Sequence, residues 1–253
     1  LVLLLALQQD ALVFPGSGRG DRGIGFLPRV RAHELQRQPG VPFRIAIATP
    51  DGVATHVALM FCGNGEDLFS GAHVAFEWTG YGAEAIAVEH PGYGTSEGPP
   101  SVEALFGAAD IALEFARARA DELSLPLVAV GTSLGTFCAM HVAATGKCDR
   151  LVLRAPPSSL LAAAKVRFWW LPVSWFLKHR FDNLVLAPQI RCRALVIHGD
   201  RDRIVPLEQG RLVQETMAGE SELLVVKGGG HSDVSFAPDG ENGARVRAFL
   251  GRQ

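Results

Sequence analysis

Short apolar runs, spaced along most of the chain and separated by longer stretches of helical periodicity, form the dominant pattern of this sequence. The runs at 56–61, 85–89, 127–130, 151–154, 194–198 and 223–226 contain almost no polar residue. Side chains of a strand alternate between its two faces, so an unbroken apolar run reads as a strand buried on both. An earlier segment, Phe43-Arg44-Ile45-Ala46-Ile47-Ala48, alternates toward a strand and stops at the turn Pro50-Asp51-Gly52. Helices are predicted near 67–79, 102–120, 134–144, 208–217 and 241–250, each joined to its strand by a Gly- or Pro-containing loop. Strands and helices in this alternation build a mostly parallel sheet flanked by helices, an α/β fold. Ligands of such sheets sit at the carboxyl ends of the strands, which is where chemistry is expected.

Composition narrows this picture without changing it. A chain of 253 residues, 48% of them hydrophobic, suffices for one large core, so 1–253 is expected to form a single α/β domain. A net charge of -2 offers no basic field to bind phosphates, which argues against a nucleic-acid partner. Cys62, Cys138, Cys148 and Cys192 lack both CxxC spacing and zinc-ligand intervals, so reduced thiols packed as small apolar groups are expected, and no metal. Gly16-Ser17-Gly18-Arg19-Gly20 lacks the lysine and preceding strand of a phosphate-binding loop, and no cofactor is implied. The chain opens Leu1-Val2-Leu3-Leu4-Leu5-Ala6-Leu7 without a methionine. This run is too short to span a bilayer. It reads either as the tail of a removed signal or anchor at a membrane, or as a helix lying on the core of a cytoplasmic protein.

Gly131-Thr132-Ser133-Leu134-Gly135 follows one of the buried strands and precedes a helical run. In a G-x-S-x-G turn the serine occupies a strained apex that lifts its hydroxyl above the sheet, and glycine alone fits two residues to either side. Composition by itself yields such a pentapeptide roughly once in seven chains like this one, so the flanking strand and helix carry the weight. A serine hydroxyl becomes a nucleophile when a histidine takes its proton and a carboxylate orients that histidine. Ala194 to Pro206 ends a strand in a charged loop where Asp200 and Asp202 both qualify as the acid. Asp200 has an alternative use in bonding the loop backbone. Leu224-Val225-Val226-Lys227-Gly228-Gly229-Gly230-His231 then places a histidine past another strand, on a glycine loop able to bring it inward.

Together with Pro42-Phe43, Phe61-Cys62-Gly63-Asn64-Gly65, Pro91-Gly92-Tyr93-Gly94-Thr95-Ser96-Glu97-Gly98 and Phe181-Asp182-Asn183-Leu184, these segments resemble the α/β-hydrolase superfamily. Within it they look most like the membrane-anchored bud-emergence-like branch, which is related to protein depalmitoylases. The resemblance runs from about Val41 to the end. It implies that Asp202 is the acid partner of His231, since it falls on the aspartate of an H-G-x-x-D-x-x-V-P pattern. It also implies an oxyanion hole made by the backbone N–H groups of Asn64 and Leu134. Cys62 stands where the family usually has histidine, so a hydrogen bond bracing this loop is expected to be missing. Few residues separate Gly52 from the strand at His56, so the usual second, antiparallel strand is expected to be shortened or absent.

The connection at 156–188 is too long for a simple link and is expected to form a small helical cap. Its centre carries Trp169, Trp170, Trp175 and Phe176, flanked by Lys165, Arg167, Lys178 and Arg180. Three uses are open: packing the cap on the core, walling an acyl-binding pocket, or resting peripherally on a membrane. The resulting expectation is a serine hydrolase cleaving a small-molecule or acylated ester or thioester through an acyl-enzyme. A peptidase or acyltransferase using the same residues, or a non-catalytic binding module of the same fold, are the alternatives, and the oligomeric state is left open.

Overall fold

The computed structural model describes residues 9–18, 20, 22–235, 237–240 and 242–251. The apolar opening 1–7 lies outside them, as does Glu241, where the last helix was expected to begin. Eight strands form one sheet in the order β1-β2-β4-β3-β5-β6-β7-β8. They are β1 (Val30–Gln38), β2 (Val41–Ala48), β3 (His56–Phe61), β4 (Ala83–Val88), β5 (Leu127–Thr132), β6 (Arg150–Arg154), β7 (Arg193–Gly199) and β8 (Ser221–Val226). From β4 onward to β8 the neighbours are parallel, while β1–β2 and β2–β4 are antiparallel. Every predicted buried strand is present. β3 and β4 are buried at all positions, His56 and Glu84 included, whereas β8, at the edge of the sheet, has no fully buried residue, so the expectation of burial on both faces is corrected there.

The helices are α1 (Gln9–Val13), α2 (Leu68–Thr79), α3 (Val102–Leu123), α4 (Gly135–Ala144), α5 (Leu160–Arg167), α6 (Asn183–Leu186), α7 (Leu207–Thr216) and α8 (Gly243–Gly251). One face of the sheet packs on α3 and α4 through Leu105, Ala109, Leu113, Phe137 and Met140. The other packs on α2 and α8 through Leu68, Ala75, Trp78, Val246 and Phe249. Side-chain caps start the longer helices: Ser101 accepts from Ala104 N (3.0 Å) before α3, and Asp67 from Ser70 N (3.1 Å) before α2. None of the described helices is long and apolar enough to cross a membrane.

The expectation of a shortened or missing antiparallel strand is corrected by the hairpin β1–β2. The segment at 43–48 is the second strand, and the first lies upstream in Val30–Gln38. β1 is an edge strand with exposed residues along most of its length and a register shift between Gln36 and Gln38. A solvated edge needs little hydrophobicity, and a bulge breaks the period of two, so the pattern hides it.

His56, buried at the start of β3, has its pKa lowered from 6.5 to about 4 by burial, with the Arg150 charge adding to the effect. Below about pH 6.5 the unfolded chain takes up a proton that the folded chain refuses until about pH 4. Stability is therefore expected to fall across that window as pH drops, by roughly 2–3 kcal/mol from this group. Melting curves of His56→Gln against the parent should show a smaller loss between pH 6.5 and 4.

Candidate active site

Ser133 sits in the turn between β5 and α4 with φ +49°, a left-handed value that a non-glycine residue adopts only under strain. Its glycine neighbours are needed. A Cβ on Gly135 would lie 2.1 Å from Phe61 O, and one on Gly131 would lie 2.7 Å from Thr136 Cα. The strained turn is held by Ser133 N donating to Arg154 O (2.9 Å) and by Thr136 Oγ1 donating to Ser133 O (2.6 Å).

The loop after β7 supplies Asp202 and the loop after β8 supplies His231, so residues far apart in sequence meet Ser133 at the carboxyl ends of the strands. His231 Nε2 lies 3.0 Å from Ser133 Oγ, and His231 Nδ1 lies 2.7 Å from Asp202 Oδ2. Asp202 is buried. Burial pushes its carboxyl upward, but hydrogen bonds from His198, His231 and the Val205 N–H outweigh that and hold it well below the usual carboxylate range. Its other oxygen accepts from Ile204 N and Val205 N, both at 2.9 Å. Asp200 is exposed and instead accepts from Gly228 N at 2.6 Å, which pins the histidine loop from outside. Two glycines of that loop permit close contact more than free swinging: a Cβ on Gly229 would lie 2.9 Å from Val234 Cγ2 and one on Gly230 2.9 Å from Asp233 Oδ1.

A cleft of about 330 Å³ opens over Ser133 and is lined by Asn64, Leu134, Phe137, Leu160, Ala163 and His231 among others. Both expected N–H donors, those of Asn64 and Leu134, thus belong to residues facing it. The expected loss of a brace at Cys62 is corrected. Buried His90 donates from Nε2 to Cys62 O (2.8 Å), and Gly63 N donates to Glu66 Oε2. Burial lowers the pKa of His90, which keeps the ring neutral and suits a single donor to a carbonyl.

Three contributors escaped the sequence reading. His198, fully buried, stands behind the acid with Nε2 donating to Val205 O (2.8 Å) and 3.4 Å from Asp202 Oδ2. Tyr93 donates to Asn64 Oδ1 (2.7 Å). The short helix α1 ties the site together: Asn64 Nδ2 donates to Val13 O (2.5 Å), His179 Nε2 pairs with Asp10 Oδ1 (2.7 Å), and Lys178 N donates to Gln9 Oε1 (2.7 Å). The hydrogen bond from His179 lowers the pKa of Asp10. Local signals could have raised His198, which precedes the charged loop; the α1 contacts had no local signal at all.

The connection from β6 to β7 carries α5, a 3₁₀ turn at Val173–Trp175, and α6. Its two ends are tied by Leu160 N to Phe181 O (2.9 Å) and by Asn183 Nδ2 to Pro157 O (2.8 Å). Trp169, Trp170 and Trp175 do not line the cleft over Ser133, and they are exposed by 82%, 54% and 86%. The expectation that they wall the acyl site is therefore corrected. The reason is local: Phe168, Leu171, Val173, Phe176 and Leu177, which alternate with them along the turn, point inward instead. Phe176 keeps a place near the site, in a mostly apolar groove of about 180 Å³ that Asn64 and Leu160 share with the cleft.

The sheet order, the strained serine between strand and helix, and the loops carrying acid and histidine define an α/β-hydrolase arrangement. The chain belongs to the alpha/beta hydrolase fold family, whose model matches residues 61–189. An uncharacterized protein of Mycobacterium tuberculosis is 26% identical over 99% of this chain and 89% of its own length. The alpha/beta hydrolase domain-containing protein 17C of Homo sapiens is 27% identical over 60% of this chain and 45% of its own length. This chain thus spans about half of that longer relative. Among solved structures, the esterase Pf2001 of Pyrococcus furiosus superposes with a TM-score of 0.71 at 17% identity, covering 92% of this chain and 98% of that one. An esterase of Pyrobaculum calidifontis does so with 0.63 at 16% identity, covering 98% and 90%.

Proposed function

We propose that this chain is a serine hydrolase that cleaves carboxylic esters or thioesters of apolar acyl groups through an acyl-enzyme. The observation that carries the reading is the unbroken relay from Asp202 through His231 to a strained Ser133 at the floor of an open cleft. Membership of the hydrolase family and the likeness to esterase folds support it.

In the proposed reaction Ser133 Oγ attacks the acyl carbon while His231 Nε2 takes its proton. Asp202, kept ionised by its donors, fixes the Nδ1–H tautomer and stabilises the imidazolium that forms. The carbonyl oxygen becomes an oxyanion facing the N–H groups of Asn64 and Leu134. Leu134 opens α4, so the positive end of that helix aids the developing charge. When the tetrahedral intermediate collapses, the bond to the leaving alcohol or thiol breaks and His231 returns the proton to it. Water, deprotonated by His231, then attacks the acyl carbon and releases the acid and Ser133 Oγ–H.

The groove beside the cleft is the proposed seat of the acyl chain, since its lining is mostly apolar and Leu160 belongs to both spaces. The resemblance to the depalmitoylase-related branch points the same way, toward fatty acyl substrates. A fluorophosphonate probe should label Ser133 alone, as read by peptide mass, and folded protein that resists the probe would overturn the assignment. Ala164, which lines the groove from α5, offers a second test. Each methylene buried is worth about 0.8 kcal/mol, close to fourfold. Ala164→Trp should therefore shift an ester panel toward shorter chains, with little change for acetyl esters.

A further inference from the structure

Trp78 lies in the core, whereas the other tryptophans, Trp169, Trp170 and Trp175, stand in solvent on one short turn. Aromatic residues that glue a segment to its core lose nearly all exposed area, and these retain between 54% and 86% of it. They line neither the cleft nor the groove. The turn is thus two-sided, with Phe168, Leu171, Val173, Phe176 and Leu177 around the groove and the indoles outside it. Leu12 of α1, which lines the groove, and Val166 of α5 are also exposed apolar residues, by 47% and 38%.

Cations frame this surface. Lys165 and Arg167, both exposed at the end of α5, have no acidic partner among the described residues, and Arg167 stands at the groove itself. Lys178 and Arg180 follow the turn, Lys178 being 3.4 Å from Asp10 and Arg180 bonded to Ser174 O at 3.1 Å. Indole rings with an apolar body and a polar N–H settle at the headgroup boundary of a bilayer, and nearby lysine and arginine are drawn to anionic lipid. We propose that the outer side of this turn docks on an anionic lipid bilayer, setting the mouth of the groove against the membrane so that an acyl chain passes from lipid toward Ser133. The delivery of substrate rests on the serine-hydrolase reading; the docking itself does not.

Cosedimentation of the whole chain with phosphatidylcholine vesicles, with and without phosphatidylserine, tests the surface directly. The parent should bind the phosphatidylserine vesicles more tightly, and Trp169→Ser with Trp175→Ser should weaken binding roughly tenfold or more. Lys165→Glu should weaken the preference for phosphatidylserine by about fivefold or more, since each cation at the surface is worth about fivefold. Both variants should keep the parent's melting temperature and its turnover of a soluble short-chain ester. Vesicle binding equal to the parent's in the tryptophan variant overturns the proposal. So does a parent that ignores vesicles but forms a dimer that the tryptophan variant loses, because the surface then serves a second copy. Loss of soluble-ester turnover in the tryptophan variant would also overturn it, by assigning the indoles to the active site. A parent that binds vesicles yet cleaves no ester leaves the docking standing and removes the hydrolase reading.

Discussion

Ser133→Ala is expected to lower kcat on a soluble ester by about a millionfold while leaving KM and the melting temperature nearly unchanged. The hydroxyl supplies the only protein atom that becomes covalently bonded to the acyl group in the proposed reaction, and no other residue is positioned to replace it next to His231 Nε2 among the described ones. The residual rate should match what the N–H groups of Asn64 and Leu134 and simple binding provide to attack by water. The fold should tolerate the change, because alanine meets the same φ of +49° as serine and the side chain is only half-buried. Steady-state kinetics and fluorophosphonate labelling on one preparation decide the matter. Turnover within a hundredfold of the parent would show that another group carries the reaction.

Asp202→Asn should produce the second-largest loss, about 10⁴ in kcat, for a reason visible in the loop. Asp202 Oδ1 accepts from the N–H groups of Ile204 and Val205, so an asparagine keeps its carbonyl oxygen there. Its NH₂ group is then turned toward His231 Nδ1, which must become an acceptor. The proton moves to Nε2, facing Ser133 Oγ, and the base is lost. Asp200→Asn retains an oxygen for Gly228 N and should cost less than about tenfold. The reverse order of these two effects in kcat would show that the loop after β7 works differently.

Much of this site is legible in the sequence because its parts are local patterns. Gly131 and Gly135 are demanded by contacts within a single strand–turn–helix unit, and the distances of 2.7 Å and 2.1 Å to a hypothetical Cβ show how little latitude that unit has. The buried strands were equally plain, since burial on both faces leaves no room for polar residues. Asp200 and Asp202 were separable by residue type only weakly; the hydrogen bonds of each to the loops around it are what distinguish them. Cys62 misled for a similar reason. A missing histidine at one position was read as a missing brace, but His90, 28 residues away, reaches the same loop through its backbone carbonyl.

The sequence by itself determined the α/β class, the existence of strands β3 to β8, the strand–turn–helix setting of Ser133 and the placing of Asp202 and His231 in loops after later strands. Each follows from neighbours along the chain, where spacing and side-chain size act directly on the backbone. Tertiary structure decided the rest. It decided that β1 exists at a solvated edge, because pairing with β2 and not hydrophobicity holds it there. It turned Trp169, Trp170 and Trp175 outward and Phe176 inward, a choice that depends on which side of one irregular turn meets the core. It also clamped Asn64 between Val13 and Tyr93 and joined Asp10 to His179 across 169 residues of chain. Such contacts have no periodicity to betray them. They exist only after the sheet has formed and brought the chain's distant segments to the same end of its strands.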